Sequence, residues 1–207
     1  DRIRIPIGIA AGPDGAMWFT SNDTDAIGRI DPEGVIDLYT DEDNISGPSG
    51  ITLGADGALW FTNASTNTIG RITTTGTATS FSGNGISVPG DITRGPDDAL
   101  WFVNRTGDSI GRITTAGAIT IYADNDHMST PNGIASGPDG ALWFTNVTSD
   151  RIGRITTTGA VTSFTDDTIS SPRQITQGPD GAMWFANRNG NSIGRIDTAG
   201  EVAAFTG

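Results

Sequence analysis

One stretch of sequence recurs five times along this chain of 207 residues. In its fourth copy it reads Gly-Pro-Asp-Gly-Ala-Leu-Trp-Phe-Thr-Asn (residues 137–146), and a Gly-Arg-Ile triplet follows a few residues later. The tryptophans of the five copies are 42, 41, 42 and 41 residues apart: Trp18, Trp60, Trp101, Trp143 and Trp184. A fixed period of this length is typical of repeat architectures. We therefore predict one domain over residues 1–207, with repeats at about 6–45, 46–87, 88–129, 130–170 and 171–207.

Each repeat contains four short segments with strand character, separated by turns. In the fourth repeat, the segments are residues 131–136, 141–145, 152–156 and 160–164, and the second is apolar on both faces, as in a sheet covered on each side. The last segment alternates between apolar and polar residues, which favours a half-exposed outer strand. Four antiparallel strands per repeat of this length are the unit of a β-propeller blade. The predicted fold class is all-β, a five-bladed β-propeller.

The two ends of the chain resemble the interior repeats. An open solenoid needs polar caps at its ends, whereas residues 7–11 and 202–205 match interior strands. We therefore expect a monomeric ring in which blade five packs on blade one, without an exchanged strand to lock it.

The charge is strongly acidic, with 24 Asp and Glu against 12 Arg and a formal net charge of −12. Such a surface repels nucleic acid and anionic membranes, and we expect neither as a partner. A preference for cationic partners and an acidity that serves only solubility are both compatible with this composition. The chain has no cysteine, which excludes disulfides and thiolate metal sites. It begins at Asp1 rather than Met, as expected of a processed product such as a secreted bacterial protein, or of a trimmed chain.

The turns and the loops of the repeats differ in how far they vary. The Gly-Pro-Asp-Gly and Thr-Thr-Gly turns hardly change, whereas the loop after the second strand and the connection between blades differ in every copy. In an up-and-down blade the constant turns lie at one end of the strands and the variable loops at the other. Binding residues are usually carried by variable loops on a rigid scaffold. We therefore expect any site at the variable rim.

The combined motif resembles the blade of the virginiamycin B lyase (streptogramin lyase) family, once per repeat and over essentially the whole chain. The resemblance implies a β-propeller. For members that act as lyases, it also implies seven blades and a magnesium-dependent elimination that opens a cyclic streptogramin B antibiotic. Histidines and glutamates at the entrance of the central channel carry that reaction.

The residues for this chemistry are scarce in the chain. It has one histidine, His127, and three glutamates, Glu33, Glu42 and Glu201, and no paired-histidine or His-x-x-Glu pattern. An elimination needs a general base near its substrate, so we carry over no catalytic residue, no metal site and no cofactor; magnesium applies only if the lyase reaction does. The expected function is a non-catalytic binding or scaffold module. A lyase of the family type and an engineered or minimal scaffold without a ligand remain as alternatives.

Four polar residues break the small or apolar pattern at the start of the innermost strands: Asp91, Asn132, Arg173 and Gln174. They belong to repeats three to five and predict a lopsided pocket for a small polar ligand such as a sugar or a carboxylate. The alternative is a water-filled channel mouth that accepts any polar residue. A glycan or a protein at the variable rim is a further partner class.

The single histidine and the repeated charged residues are weaker candidates. His127 lies between Asp124 and Asp126 in a long connection, and we expect it to contact a partner rather than to catalyse. Because the arginine of Gly-Arg-Ile and the aspartate of the first turn recur in every repeat, we expect them to stabilise the blade.

Overall fold

The computed structural model describes residues 3–207 of the chain, and these form five sheets of four antiparallel strands each. The innermost strands are β1 (Pro6–Ala11), β5 (Pro48–Leu53), β9 (Pro89–Arg94), β13 (Pro131–Ser136) and β17 (Pro172–Gln177). The second strands are β2 (Met17–Ser21), β6 (Leu59–Asn63), β10 (Leu100–Asn104), β14 (Leu142–Asn146) and β18 (Met183–Asn187). The third strands are β3 (Ala26–Ile30), β7 (Thr68–Ile72), β11 (Ser109–Ile113), β15 (Arg151–Ile155) and β19 (Ser192–Ile196). The outer strands are β4 (Ile36–Thr40), β8 (Ala78–Ser82), β12 (Ile119–Ala123), β16 (Val161–Thr165) and β20 (Val202–Phe205).

The strand order within each sheet follows the sequence, and the innermost strands of successive sheets contact one another. The predicted all-β fold with five blades of four strands is therefore confirmed. Within residues 3–207, the only helix is a 3-10 turn at Asn22–Thr24. No helix in this part of the chain has the length and apolar character needed to cross a bilayer.

The repeated tryptophan, aspartate and arginine form one hydrogen-bonded unit in each blade. In blade four, Asp139 accepts a hydrogen bond from the Trp143 indole at 3.1 Å and another from Arg154 Nε at 2.6 Å. The Trp143 ring also stacks on Phe164 of the outer strand, with 5.3 Å between ring centroids. The same three-residue unit occurs in all five blades. The prediction that these residues stabilise the blade is confirmed.

Neighbouring blades pack through two complementary apolar faces. The leading face of blade one, turned toward blade two, carries Trp18 and Ile27, and the trailing face of blade two carries Ile51, Leu59 and Phe61. All five side chains are at most 7% exposed. Burying a large apolar side chain contributes about 1.5–3 kcal/mol. These faces therefore hold the blades together.

Polar contacts at the variable rim link successive blades as well. Asn67, in the loop after β6, accepts a hydrogen bond through its side-chain oxygen from the backbone N–H of Val88, just before β9, at 2.7 Å. Equivalent bonds join Asp25 to Gly47, Asp108 to Thr130, and Asp150 to Ser171. The loop after the second strand and the connection between blades thus meet at the same rim, as the repeat pattern predicted.

The expected packing of blade five on blade one is wrong. Within residues 3–207, no contact between β17 and β1 approaches the extent of the contacts that join the other neighbouring inner strands. Ile9 on the trailing face of blade one is 64% exposed, and Ile193 on the leading face of blade five is 49% exposed. The five blades form an arc with a free face at each end. The repeat pattern did not reveal this, because the end blades carry the same interface residues as the inner ones.

Candidate ligand site at the variable rim

A bulge at the start of each innermost strand sets the geometry of the candidate site. The ladder between β13 and β14 pairs Pro131 with Asn146 and resumes at Ile134, so Asn132 and Gly133 leave the regular register. The same irregularity occurs in all five blades. β-Bulges bend a strand and redirect its side chains. The second and third residues of each inner strand are therefore placed at the variable rim.

At most joints between blades, a glycine and a threonine occupy this region. A Cβ atom on Gly50 would lie 2.8 Å from the carbonyl oxygen of Gly90, so the two inner strands nearly touch. The Thr62 hydroxyl accepts a hydrogen bond from the Gly50 N–H and donates one to the Gly90 carbonyl across the joint. Thr20 and Thr145 bridge their joints in the same way.

Blade three replaces this pair with Asp91 and Val103. The Asp91 carboxylate accepts hydrogen bonds from its neighbour Ile92 N at 3.0 Å and from Ile134 N of blade four at 3.1 Å. Burial raises the pKa of Asp91 to about 6, against the opposing effect of these two hydrogen bonds and of the positive charge of Arg105. Asp91 therefore bridges two blades, and it titrates closer to neutrality than an ordinary aspartate does.

Arg105 was not among the predicted site residues. It follows the last residue of β10, and a Cβ atom on Gly90 would lie 2.4 Å from its Nε atom, so its side chain lies across Gly90. Its Nε atom is buried and has no hydrogen-bond partner within the described residues. The signal in the sequence was Gly90 itself, the only glycine at the second position of an inner strand, which leaves room for a long side chain.

Two further polar groups on the inner strands lack partners. Ser49 is 2% exposed and Arg173 is half-buried, and neither the Ser49 hydroxyl nor Arg173 Nε has a hydrogen-bond partner within residues 3–207. Asn132, also half-buried, lies on β13 between Gly90 of β9 and Arg173 of β17 at the same register position. β13 contacts β9 on one side and β17 on the other, so the starts of these three strands, which carry Asp91, Asn132 and Arg173, follow one another along the rim. Arg105 lies over Gly90 at the start of β9.

The other two predicted residues differ in their surroundings. Gln174 is exposed, and its side-chain oxygen lies beside Gly133 of β13, where a Cβ atom would be 3.0 Å away. It also lines an apolar groove on the free face of blade five, together with Trp184 and Ile193. The His127 ring is paired within its own connection, with Nδ1 at 2.9 Å from both carboxylate oxygens of Asp124. This contact holds the pKa of Asp124 below its usual value.

Metal-ligating side chains do not gather into a cluster of three or more in the described residues. Magnesium prefers octahedral oxygen ligands, usually carboxylates and waters. Within residues 3–207, no three or more His, Cys, Asp or Glu side chains converge in a way that could hold a metal ion. Carboxylates such as Asp97 are bonded to a tryptophan and an arginine of their own blade.

Comparisons with known proteins agree with this architecture. The sequence matches the virginiamycin B lyase family over residues 2–126 and 39–206, two overlapping spans that together cover almost all of the chain. The chain belongs to the virginiamycin B lyase family. A sequence comparison with curated proteins finds no match.

Solved structures extend the comparison. A catalytically inactive variant of virginiamycin B lyase from Staphylococcus aureus, crystallised with quinupristin, is 38% identical with a TM-score of 0.94; the match covers 100% of this chain and 71% of that one. A streptogramin B lyase is 32% identical with a TM-score of 0.78, over 97% of this chain and 82% of that one. A putative gluconolactonase, at 17% identity and a TM-score of 0.72, shares the fold alone; that match covers 99% of this chain and 78% of that one.

Proposed function

We propose that this family member is a non-catalytic binding module that takes a small carboxylate-bearing ligand at the variable rim, between Arg105 and Arg173. The observation that carries the proposal is the pair of buried guanidinium Nε atoms without partners in the described residues. Buried polar groups are nearly always hydrogen-bonded, and an unpaired one calls for an explanation. A ligand that accepts hydrogen bonds supplies one.

The chemistry of the two arginines selects the ligand class. Guanidinium groups present donors in a planar fork that matches a carboxylate, and the charge-assisted bonds are stronger than neutral ones. Asn132 is on β13, the strand between β9 and β17, and adds an amide that donates and accepts. The acidic surface, with its net charge of −12, disfavours anions elsewhere on the molecule. Specificity for a carboxylate therefore has to come from this local pair.

The test is a thermal-shift and calorimetric titration with acetate, succinate and citrate, and with glucose as a neutral probe. A ligand that binds only the native state raises the melting temperature. Arg105→Gln and Arg173→Gln are expected to weaken carboxylate binding by about tenfold or more, which corresponds to about 1.4 kcal/mol. Arg188→Gln is the matched control, because Arg188 occupies the loop position of Arg105 in blade five and is exposed. No binding by any carboxylate would overturn the proposal and favour a scaffold without a ligand.

A second candidate function is a lyase reaction of the family type. It is favoured by the 38% identity, over the whole chain, to the Staphylococcus aureus enzyme crystallised with quinupristin. The test is incubation with quinupristin and magnesium chloride, with loss of the cyclic compound followed by liquid chromatography. Turnover that His127→Ala abolishes would establish the lyase reaction and contradict the non-catalytic proposal.

A further inference from the structure

A carboxylate and a guanidinium group of blade three lie close together at the variable rim. Asp91 directly follows Gly90, the residue over which the Arg105 side chain lies. A Cβ atom on Gly90 would be 3.0 Å from the guanidinium carbon of Arg105. The positive charge of Arg105 acts on Asp91, since it opposes the rise that burial causes in the pKa of this carboxyl.

The hydrogen bonds of the Asp91 carboxylate go to backbone groups rather than to Arg105. Its Oδ1 atom accepts a bond from Ile92 N at 3.0 Å, and its Oδ2 atom accepts one from Ile134 N at 3.1 Å. Arg105 Nε is buried and has no hydrogen-bond partner within residues 3–207. Asp91 therefore acts on Arg105 through its charge and leaves the Nε donor to a second carboxylate.

The strands that pack against β9 carry no other charge. β5, β6, β10 and β13 consist of uncharged residues. Arg94, at the far end of β9, is paired with Asp98. His127, in the connection that leads to β13, is paired with a carboxylate of that same connection. In this part of the described chain, Arg105 is therefore the charged group that acts on Asp91.

We propose that the rim site takes up a proton from solvent together with its carboxylate ligand, and that an oxygen of Asp91 receives this proton. The coupling rests on the proposed function, because the negative charge of the ligand at Arg105 is its cause. A nearby like charge disfavours the ionised form of a carboxyl group. A bound carboxylate thus favours protonation of Asp91, and the site then takes up no net charge with a monocarboxylate ligand.

The protonation of Asp91 can be changed under conditions in which binding is measured. Because its pKa is raised to about 6, Asp91 is mostly ionised at pH 8 and mostly protonated at pH 5.5. Coupling between two binding events is reciprocal, so a ligand that raises this pKa binds more tightly to the protonated site by the same factor. If the ligand raises the pKa of Asp91 by about one unit, its affinity should be up to about tenfold higher at pH 5.5 than at pH 8.

The test is a calorimetric titration of the whole chain with trifluoroacetate, a carboxylate that stays ionised throughout, at pH 5.5 and at pH 8. Proton uptake is measured separately with a pH electrode in weakly buffered solution at pH 6.5. We expect tighter binding at pH 5.5 and an uptake of about half a proton per bound ligand at pH 6.5.

Two variants remove the charge of Asp91. Asp91→Asn keeps the size of the side chain. The double variant Asp91→Gly with Val103→Thr restores the glycine and threonine that bridge the joint between blades two and three, so its folding does not depend on the carboxylate. In both variants the proton uptake should be absent, and the affinity should be the same at the two pH values.

Asp150→Asn is the matched control. Asp150 is also a carboxylate of the variable rim that accepts a hydrogen bond from a backbone N–H of the next blade, that of Ser171, at 2.6 Å. This variant should keep the proton uptake and the dependence of the affinity on pH, since it leaves Asp91 in place.

Two results would overturn the coupling and leave the proposed function standing. One is trifluoroacetate binding with equal affinity at pH 5.5 and pH 8 and without proton uptake. The other is proton uptake that persists in both Asp91 variants. No binding of trifluoroacetate at either pH would also overturn the coupling. Whether the proposed function fails with it is decided by the titrations with acetate, succinate and citrate.

Discussion

The Asp91 carboxylate of blade three accepts a hydrogen bond from the Ile134 backbone N–H of blade four at 3.1 Å. At three of the other positions along the arc, a threonine hydroxyl makes the bridge over a glycine. Asp91 in place of glycine and Val103 in place of threonine are therefore one structural exchange. Asp91, which the sequence predicted as a ligand-binding residue, therefore also holds two blades together.

The stability of the protein should depend on the protonation of Asp91. Its pKa is raised from the ordinary 3.8 to about 6, so between these values the native state binds more protons than the unfolded state. The free energy of unfolding should then fall by up to about 3 kcal/mol as the pH rises through this range. Urea unfolding between pH 4 and pH 7 measures it. In Asp91→Asn, which mimics the protonated acid, this fall should be absent; an unchanged pH profile would contradict the account.

The asparagine link between blades can be tested with two identical substitutions. Asn67→Ala removes the bond to the Val88 N–H, whereas Asn191→Ala changes the equivalent residue on the free face. Both residues have a positive φ, so placing an alanine there costs a similar conformational free energy in the two variants. We expect Asn67→Ala to lower the free energy of unfolding by about 1 kcal/mol more than Asn191→Ala does. Urea denaturation of both variants provides the comparison, and equal losses would mean that the link contributes nothing.

The glycine of Gly-Arg-Ile should not tolerate a side chain. A Cβ atom on Gly153 would lie 2.2 Å from the Phe144 ring, which is fully buried. Gly153→Ala forces this ring to move and should cost about 1–3 kcal/mol, as overpacked cores do. Gly207→Ala, where nothing lies within 4 Å, is the control and should leave thermal stability unchanged. Unchanged thermal stability in Gly153→Ala would mean that the Phe144 ring is free to shift.

The turn aspartate should contribute to stability through its two side-chain partners. Asp139→Ala leaves the Trp143 indole and the Arg154 guanidinium without their acceptor, so we expect a loss of about 1–3 kcal/mol at neutral pH. Asp167→Ala, at an exposed aspartate of the connection before blade five, is the control. Thermal unfolding of both variants measures the difference in their stability. A difference close to zero would mean that the Trp-Asp-Arg unit does not stabilise the blade.

The blades could be predicted from the repeat, because residues that occur at the same position in all five repeats are expected to stabilise the structure that the repeats share. Trp143, Asp139 and Arg154 could be assigned from their spacing, and their contacts agree with that assignment. The strands of the fourth repeat were predicted to within a residue. The closure of the ring could not be predicted. Whether Ile9 and Ile193 meet depends on the curvature at each joint, and a pattern within one repeat does not encode that angle.

The candidate site was predicted in part. Asp91, Asn132 and Arg173 were found because they interrupt the repeat, and all three lie on adjoining inner strands. Arg105 was missed because it lies in a loop that differs in every repeat. A residue at such a position does not stand out from the repeat pattern. It could be recognised only from the space above Gly90. Gln174 was predicted for the same pocket; its side-chain oxygen lies beside Gly133 of β13, and the residue is exposed at the free end of the arc.

The most direct test compares an arginine that differs between repeats, Arg105, with one that recurs in every repeat, Arg154. Binding of citrate and thermal stability are measured together for Arg105→Gln and for Arg154→Gln. We predict that Arg105→Gln weakens citrate binding by about tenfold and changes the melting temperature less than Arg154→Gln does. Arg154→Gln, which loses its bond to Asp139, should lower the melting temperature and leave the affinity unchanged. Weaker binding in Arg154→Gln together with full binding in Arg105→Gln would contradict the account.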